Sequence, residues 1–219
     1  MRVVIAGGHG KIALILEQLL SARGDDVAGL IRNPDQAADL QAAGAQAIVL
    51  DLERASVDEV TDALRGADAV VFAAGAGPGS GAARKQTVDR DAAILLADAA
   101  EAAGVGRYVM VSALAADDRS LDANYDEVFR AYMHAKSEAD ANVRARAGLR
   151  TTIVRPGGLT DEAGTGKVMV AESTGRGTIP RADVAHVLLA VLHEPETAGP
   201  TFEVISGETP IDAALHPSQ

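Results

Sequence analysis

Seven short apolar runs recur along the chain, and segments of helical character separate them. The runs are VVIAG at 3–7, VAGLIR at 27–32, AIVLD at 47–51, AVVFAAG at 69–75, RYVMVSA at 107–113, TTIVRPG at 151–157 and TFEVIS at 201–206. Their hydrophobicity is too continuous to leave one face in water, which is typical of parallel strands covered by helices on both sides. Further helices are predicted near 34–43, 55–65, 86–103, 125–147 and 181–193. The alternation predicts an α/β fold with a three-layer, doubly wound parallel sheet whose carboxyl edge binds ligands.

The length of 219 residues fits one domain, and no linker or shift of composition marks a second. Residues 1–219 are therefore expected to form a single unit. A small substrate or lid region is expected from about residue 156. Because little chain remains after that point, the substrate site is predicted to be shallow or open.

Composition argues against several classes of partner. The net charge is −11 and the basic residues are scattered among acids, which disfavours nucleic acid. No apolar run reaches the ~18 residues of a membrane span, so a soluble cytoplasmic protein is expected. The chain has no cysteine and its five histidines are scattered, so no metal site is predicted. A small-molecule substrate and a monomer or homodimer are the remaining expectations.

The first run leads into a glycine-rich junction, in VVIAGGHGKIALILEQLL at 3–20. Gly7, Gly10 and Ala13 give G-x-x-G-x-x-A where a strand meets an amphipathic helix, and Gly24 is a predicted helix end. Free N–H groups and the helix dipole favour a phosphate at such a junction. The alternative is a tight turn with close helix packing. The position within a βαβ unit favours dinucleotide binding, with a predicted contact set of Gly7, Gly8, His9, Gly10, Lys11 and Ile12.

The end of the second run decides between the two nicotinamide dinucleotides. It reads GLIRNP, so Arg32 stands where an NAD site usually has an acid for the ribose 2'-hydroxyl. An arginine suits the 2'-phosphate of NADP(H), which is therefore the predicted cofactor in preference to NAD(H). The alternative is a solvated Arg32 paired with Asp35. His9 and Lys11 either add positive charge or point to water.

The third and fourth runs end in residues that also suit this ligand. Asp51 and Leu52 are predicted to contact the adenine, whereas Ala73, Ala74 and Gly75 allow close approach of a ribose or diphosphate. Each has an ordinary alternative, namely a helix cap for Asp51 and a plain turn at Gly75.

A tyrosine and a lysine lie on one predicted helix, within the stripe Phe129, Tyr132, Lys136, Ala139 and Val143. Tyr132 and Lys136 are neighbours at i and i+4, and a nearby cation lowers a phenol's pKa toward neutrality, as a proton donor to a carbonyl requires. Ser112 ends the fifth run and is predicted to bond the same substrate oxygen. The alternatives are a solvated Lys136 paired with Asp140, Tyr132 as ordinary core, and Ser112 as a turn or capping residue.

With these motifs the chain resembles the short-chain dehydrogenase/reductase superfamily, and more narrowly its atypical, compact NAD(P)H-binding members. RNP at 32–34 and the phrases RYVMVSA, TTIVRPGGLTDE and IPRADVAHVLLAVL carry the resemblance over nearly the whole chain. It implies a Rossmann-type fold, hydride transfer, Tyr132 as acid/base, Ser112 polarising a carbonyl, and Lys136 holding the ribose and tuning Tyr132. It also places Pro156, Gly157, Gly158 and Leu159 beside the nicotinamide. The chain departs from the pattern at Ala13, in its short tail, and in having no asparagine after the fourth run.

Two functions remain open from the sequence. The first is an NADP(H)-dependent oxidoreductase that reduces a small carbonyl, quinone or similar acceptor. The second is a non-catalytic NADP(H)-sensing module, in which the glycine-rich run GAGPGSGAARKQT at 75–87 orders on binding. Asp117, Asp118 and Asp122 disfavour an anionic substrate if they face the site, although a solvated loop is the expected explanation for them.

Overall fold

The computed structural model describes residues 1–77, 79–194 and 199–216. At its centre lies a nine-stranded sheet. Its strands are β1 Arg2–Ala6, β2 Asp26–Ile31, β3 Gln46–Val49, β4 Ala69–Phe72, β5 Arg107–Val111, β6 Arg150–Pro156, β8 Lys167–Ala171, β10 Thr201–Ser206 and β11 Thr209–Pro210. Their order across the sheet is β11-β8-β10-β6-β5-β4-β1-β2-β3. Each of the seven apolar runs overlaps one of these strands, namely β1 to β6 and β10, and these seven strands pair with one another in parallel. The predicted doubly wound α/β sheet is confirmed.

Helices flank the sheet on both faces. They are α1 Lys11–Ala22, α2 Ala37–Ala42, α3 Val57–Ala63, α4 Ala82–Arg84, α5 Ala92–Ala102, α6 Glu127–Arg144, α7 Arg181–His193 and α8 Ile211–Leu215. The segment predicted as one helix near 86–103 begins earlier, and a π-helical segment, Lys85–Asp91, joins α4 to α5. A 3-10 helix, Arg119–Asn124, precedes α6. The predicted helices are thus present, with shifted ends.

The far edge of the sheet was not predicted. β8 runs antiparallel to β10 and also pairs with β11, so the sheet is not wholly parallel. A separate two-stranded sheet joins β7 Gly158–Thr160 to β9 Thr178–Pro180. The run KVMVA alternates about the exposed Met169, which is typical of an edge strand with one wet face. The alternation is one of burial and not of residue type, because VMVA at 168–171 is itself a short continuous apolar run, and this run was overlooked.

The core has two halves because the sheet is covered on both faces. Val3 and Ile5 of β1 pack with α1 and α7, whereas Val4 and Ala6 pack with residues of α3, α5 and α6. This two-sided burial explains why the runs are continuously apolar. Because β1 to β6 pair in parallel, their carboxyl ends lie along one edge of the sheet, where the glycine-rich turn after β1 begins. No helix in the described part of the chain is long and apolar enough to cross a membrane.

A fully buried carboxyl group lies behind that turn. Glu17 of α1 has no hydrogen-bond partner for either side-chain oxygen among the described residues. A Cβ added at Gly29 would lie 2.5 Å from Glu17 Oε1, and one at Gly8 would lie 3.0 Å from it. The Glu17 carboxyl group therefore fills the space that side chains at Gly8 and Gly29 would need. Burial raises the pKa of Glu17 to about 8.

We expect this carboxyl group to make the fold less stable as the pH rises. The unfolded chain ionises Glu17 above its ordinary pKa of 4.5, whereas the folded chain retains the proton up to about pH 8. Stability therefore falls between those values, by up to about 1.4 kcal/mol per pH unit from this group, and the loss is constant above them. In Glu17→Gln the loss is absent, so the variant gains stability relative to the wild type across this window. Denaturant unfolding from pH 4 to 9 measures the difference, with the exposed Glu162→Gln as control. An equal pH slope in Glu17→Gln and the wild type would contradict the assignment.

Candidate active site

A continuous groove follows the carboxyl edge of the sheet. Its first part, called the adenosine cavity after the ligand group that the sequence predicts there, runs from Gly7 and Gly10 past Arg32, Asp51 and Leu52 to Ala73, Ala74 and Gly75. Its second part, the inner cavity, shares Ala73–Gly75 and continues to Ser112, Tyr132, Lys136 and Leu159. A third part, the outer cavity, shares Ser112, Tyr132 and Leu159 with the inner one and is also lined by Pro156–Gly158. Predicted contact residues from the ends of six strands, β1 to β6, thus line one elongated space. Of the predicted contacts, Gly8 and Lys11 do not line these three cavities.

The glycine-rich turn brings two strand ends into contact. Gly7 has φ of +80°, and a Cβ there would lie 2.6 Å from Ala74 Cα. The Gly10 N–H donates to the Gly7 carbonyl oxygen at 2.8 Å, which closes the turn. A Cβ at Gly8 would lie 2.8 Å from Gly29 Cα. A side chain at Gly7 or Gly8 would therefore force neighbouring backbone apart.

The N-terminus of α1 is left without a side-chain cap. Gly10 is its N-cap residue and supplies no side-chain hydrogen bond, and the first turn carries no acidic residue. In contrast, Ser56 caps α3 and Asp126 caps α6. Since the first N–H groups of a helix lack internal partners, this end is suited to an anion such as a diphosphate. These features fit a dinucleotide.

The two polar neighbours of the turn are engaged with acids. His9 Nε2 lies 2.7 Å from Asp39 Oδ2, and Lys11 forms an ion pair with Asp161. Asp161 also accepts from Arg181 Nη1 at 2.7 Å. His9 and Lys11 therefore do not simply point to water.

Arg32 pairs with an acid that the sequence did not single out. Its Nη1 lies 3.2 Å from Glu53 Oε2, so the expected alternative, pairing with Asp35, is wrong. Glu53 also accepts from Arg84 Nη2 at 2.8 Å and from Thr87 Oγ1 at 2.8 Å. The hydrogen bond from Arg84 contributes most to lowering the pKa of Glu53. Two arginines thus lie at the adenosine cavity around one carboxylate.

Asp51 closes a turn and does not cap a helix. Its Oδ1 accepts from the Glu53 N–H at 3.1 Å, whereas Ser56 and Glu59 form the capping box of α3. The helix-cap alternative for Asp51 is therefore wrong. Leu52, the next residue, lines the adenosine cavity together with Asp51.

Ser112, Tyr132 and Lys136 converge on the inner cavity. Ser112 is buried, and its Oγ donates to Asp140 Oδ2 at 2.9 Å. Lys136 is 3% exposed; its Nζ donates to the Val111 carbonyl oxygen at 3.2 Å and lies 3.4 Å from Asp89 Oδ1. The alternative of a solvated Lys136 paired with Asp140 is therefore wrong.

The phenol of Tyr132 is held in its protonated form. Burial, with added repulsion from the Asp89 and Asp140 carboxylates, raises the pKa of Tyr132 well above its ordinary value of 10.0. The expectation that Lys136 lowers this pKa toward neutrality is wrong for this structure. The main reason is burial of the phenol, and the Asp89 carboxylate, which lies against the Lys136 ammonium, adds to the effect.

The π-helical segment supplies two further buried charges that sequence reasoning missed. Asp89 Oδ2 accepts from the Ala76 N–H at 3.2 Å, and Lys85 Nζ donates to the Gly77 carbonyl oxygen at 2.9 Å. Both contacts hold the loop after β4. Lys85 and Asp89 are four residues apart, the spacing of neighbours on one helix face, so the sequence could have predicted that they lie together.

The run 75–87, expected to be flexible, is partly helical from residue 82, and its Pro78 lies outside the described residues.

Behind Ser112 lies a network of buried charges. Arg155 Nε donates to Asp140 Oδ2 at 2.8 Å, and its Nη2 donates to Asp117 Oδ2 at 2.7 Å. Burial raises the pKa of Asp140, an effect that the nearby Arg155 opposes. Asp118 accepts from the Ser120 N–H, and Asp122 lies 2.8 Å from His134 Nε2. The three loop acids thus have partners within the protein, and Asp117 and Asp118 are also exposed, as expected of a solvated loop.

A buried glutamate organises the outer cavity. Glu203 of β10 accepts from the Ala115 N–H at 2.8 Å through Oε1 and from the Thr174 N–H at 2.8 Å through Oε2. Ala115 has φ of +58°, a conformation that few residues other than glycine adopt. Glu203 therefore ties together two loops that line this cavity. The apolar run around it gave no sign of this role.

The chain is similar to several known proteins. Over residues 7–195 it matches the profile of a family described as NAD(P)H-binding. It is 40% identical to the uncharacterized sugar epimerase YhfK of Bacillus subtilis, over 98% of this chain and 99% of that one. A Bacillus halodurans structure with the provisional name NAD-dependent epimerase/dehydratase is 37% identical, with a TM-score of 0.90 and 98% of each chain covered. The oxidoreductase ylbE from Lactococcus lactis is 25% identical, with a TM-score of 0.86, covering 100% of this chain and 96% of that one.

These similarities extend over the parts that form the groove. The family match begins at Gly7 and includes the ends of β2 to β6 and all of α6. The fold, the uncapped helix end and the matched profile agree with one another, and they agree with the resemblance found in the sequence. The chain belongs to the NAD(P)H-binding family of Rossmann-fold oxidoreductases.

Proposed function

We propose that the protein is an NADP(H)-dependent reductase that acts on a small carbonyl, quinone or similar acceptor. The observation that carries the proposal is the convergence of Ser112, Tyr132 and Lys136 on a cavity continuous with the glycine-rich turn. Bound NADPH would supply a hydride to the acceptor carbon. The residues that would hold it are the turn at 7–12, Arg32, Asp51, Leu52, Ala73–Gly75 and Pro156–Leu159.

In this proposal Tyr132 supplies the proton. Its hydroxyl donates to the carbonyl oxygen as the hydride reaches the carbon, so that the acceptor leaves as an alcohol and Tyr132 recovers its proton from water. The phenolate that forms briefly is stabilised by two ammonium groups. Lys85 Nζ and Lys136 Nζ lie 5.3 and 5.9 Å from the centre of the Tyr132 ring. Ser112 orients the carbonyl once its hydroxyl turns from Asp140 to the substrate.

Tyr132 keeps its proton before the reaction, because burial and then the Asp89 and Asp140 carboxylates raise its pKa. A reductase needs this protonated hydroxyl, whereas an epimerase, as two relatives are named, must first remove a proton from a hydroxyl group of its substrate. The raised pKa also makes the phenol a weaker acid, so donation of its proton depends on the two lysines that face its ring. The reductive direction is therefore part of the proposal.

Turnover separates this proposal from a sensing module. We expect purified protein to consume NADPH in the presence of an aromatic aldehyde or a quinone and to form one alcohol or hydroquinone for each NADPH oxidised. Product analysis beside absorbance at 340 nm measures this ratio. Tight nucleotide binding with no turnover across the panel would support the sensing module and contradict the reductase.

A further inference from the structure

The outer cavity is lined by aromatic rings on one side. Tyr125 and Phe129 meet edge to face with ring centres 4.6 Å apart, and Phe129 lies 5.7 Å from Tyr132. The chain has only three tyrosines and three phenylalanines and no tryptophan. Phe72, Tyr108 and Phe202 are buried in the core, so the other three all lie at this cavity.

Three exposed apolar side chains lie together here, since Phe129 and Leu159 line both the inner and the outer cavity and Val128 lines the inner one. Phe129 is 44% exposed, and Val128 and Leu159 beside it are also exposed. Large apolar side chains left in water are unfavourable, by roughly 25 cal/mol per Å² of surface. Grouped at the mouth of a cavity of about 1050 Å³, they indicate an apolar ligand that covers them. Ring faces and edges favour a flat, conjugated ligand.

The charged side chains that line the outer cavity differ in whether they have hydrogen-bond or ion-pair partners. Among its acids, Asp118 accepts from Ser120 N–H and Glu203 holds two loops. Arg181 is paired with Asp161. Arg176 is exposed and forms no hydrogen bond or ion pair with any residue that the structure describes. The cavity therefore offers an available guanidinium, a group that binds carboxylates in a bidentate manner.

We propose that the acceptor is a flat, conjugated molecule that carries a carboxylate. Its ring system lies against Phe129 and Tyr125, its carboxylate binds Arg176, and its reducible carbon is presented to Tyr132. This assignment rests on the proposed reductase function and specifies its substrate class. Of the three loop acids, Asp117 and Asp122 face Arg155 and His134, and neither lines the outer cavity. Asp118 does line it, but its side chain is exposed, so solvent screens its charge.

Two aldehydes of matched shape test the assignment. 6-Formyl-2-naphthoate carries the carboxylate and 2-naphthaldehyde lacks it. We expect kcat/KM to be about tenfold higher for the carboxylate, as a charge-assisted hydrogen bond supplies. Arg176→Gln should bring this ratio close to one by slowing only the anionic aldehyde, and Phe129→Ala should slow both. The controls are Arg65→Gln, just after the end of α3, and Met169→Ala, on β8; neither residue lines the three cavities of the groove, and both variants should keep the wild-type ratio.

A binding measurement keeps this test independent of turnover. Calorimetry compares 2-naphthoate with 2-naphthalenemethanol on wild-type protein and Arg176→Gln, with and without NADP+. Tighter binding of the acid, lost in Arg176→Gln, supports the assignment. Equal binding of the two probes, or equal turnover of the two aldehydes, would overturn it while leaving the reductase in place. Binding of the acid without turnover of either aldehyde would instead count against the reductase.

Discussion

Tyr132→Phe is expected to reduce turnover by about 10²- to 10⁴-fold, because it removes the proposed proton donor and little else. The ring packs against Phe129 and lies below Lys85 and Lys136, contacts that phenylalanine preserves. The nucleotide contacts also remain, so NADPH affinity should change by less than about twofold. Steady-state kinetics and calorimetry on the same preparation measure the two effects separately.

A second hydroxyl deletion serves as the control for this change. Tyr108 is buried in β5, and its hydroxyl donates to the Ala93 carbonyl oxygen at 2.9 Å, away from the groove. Tyr108→Phe should lower stability by about 1 kcal/mol and keep kcat/KM. If Tyr132→Phe retained wild-type turnover, the proton would have to come from another group, and the proposed role would be lost.

Arg32→Ala is expected to weaken NADPH binding by about tenfold and to leave NADH binding almost unchanged. Arg32 is exposed at the end of β2 and lies at the adenosine cavity, where a 2'-phosphate needs positive charge. The effect is smaller than for a buried pair because solvent screens an exposed guanidinium. Arg84, on the other side of Glu53, retains part of the attraction.

The neighbouring Arg54 provides a matched control for charge. Its side chain is exposed, and Arg54 does not line the adenosine cavity. Arg54→Ala should therefore keep the preference for NADPH at fixed ionic strength. Equal losses in both variants would mean that net charge, and not a contact at Arg32, sets the preference.

The central strands were predictable because each is buried on both faces and so has a continuous apolar run. β8 was overlooked although VMVA at 168–171 is apolar, and the exposure of Met169, which marks it as an edge strand, could not be read from the sequence. The strands β7 and β9 are three residues each, too short to carry a pattern. Prediction thus succeeded where burial alone determines the residue type.

The site was predictable where chemistry follows local spacing. Tyr132 and Lys136 are four apart on one helix, and the glycines follow one strand. Partners distant in the chain were not predictable, since no local pattern joins Arg32 to Glu53 or Lys136 to Asp89. The error about the pKa of Tyr132 has this origin, because the burial that raises this pKa most, and the Asp89 carboxylate that raises it further, both depend on the tertiary structure.

The most direct test of the account is calorimetric titration of the wild-type protein with NADPH and with NADH at matched salt. The account predicts saturable binding of one nucleotide per chain, tighter for NADPH, because α1 presents an uncapped N-terminus and Arg32 lies at the adenosine cavity. Failure of both nucleotides to bind would contradict it, and would leave the glycine-rich turn after β1 as a packing device alone.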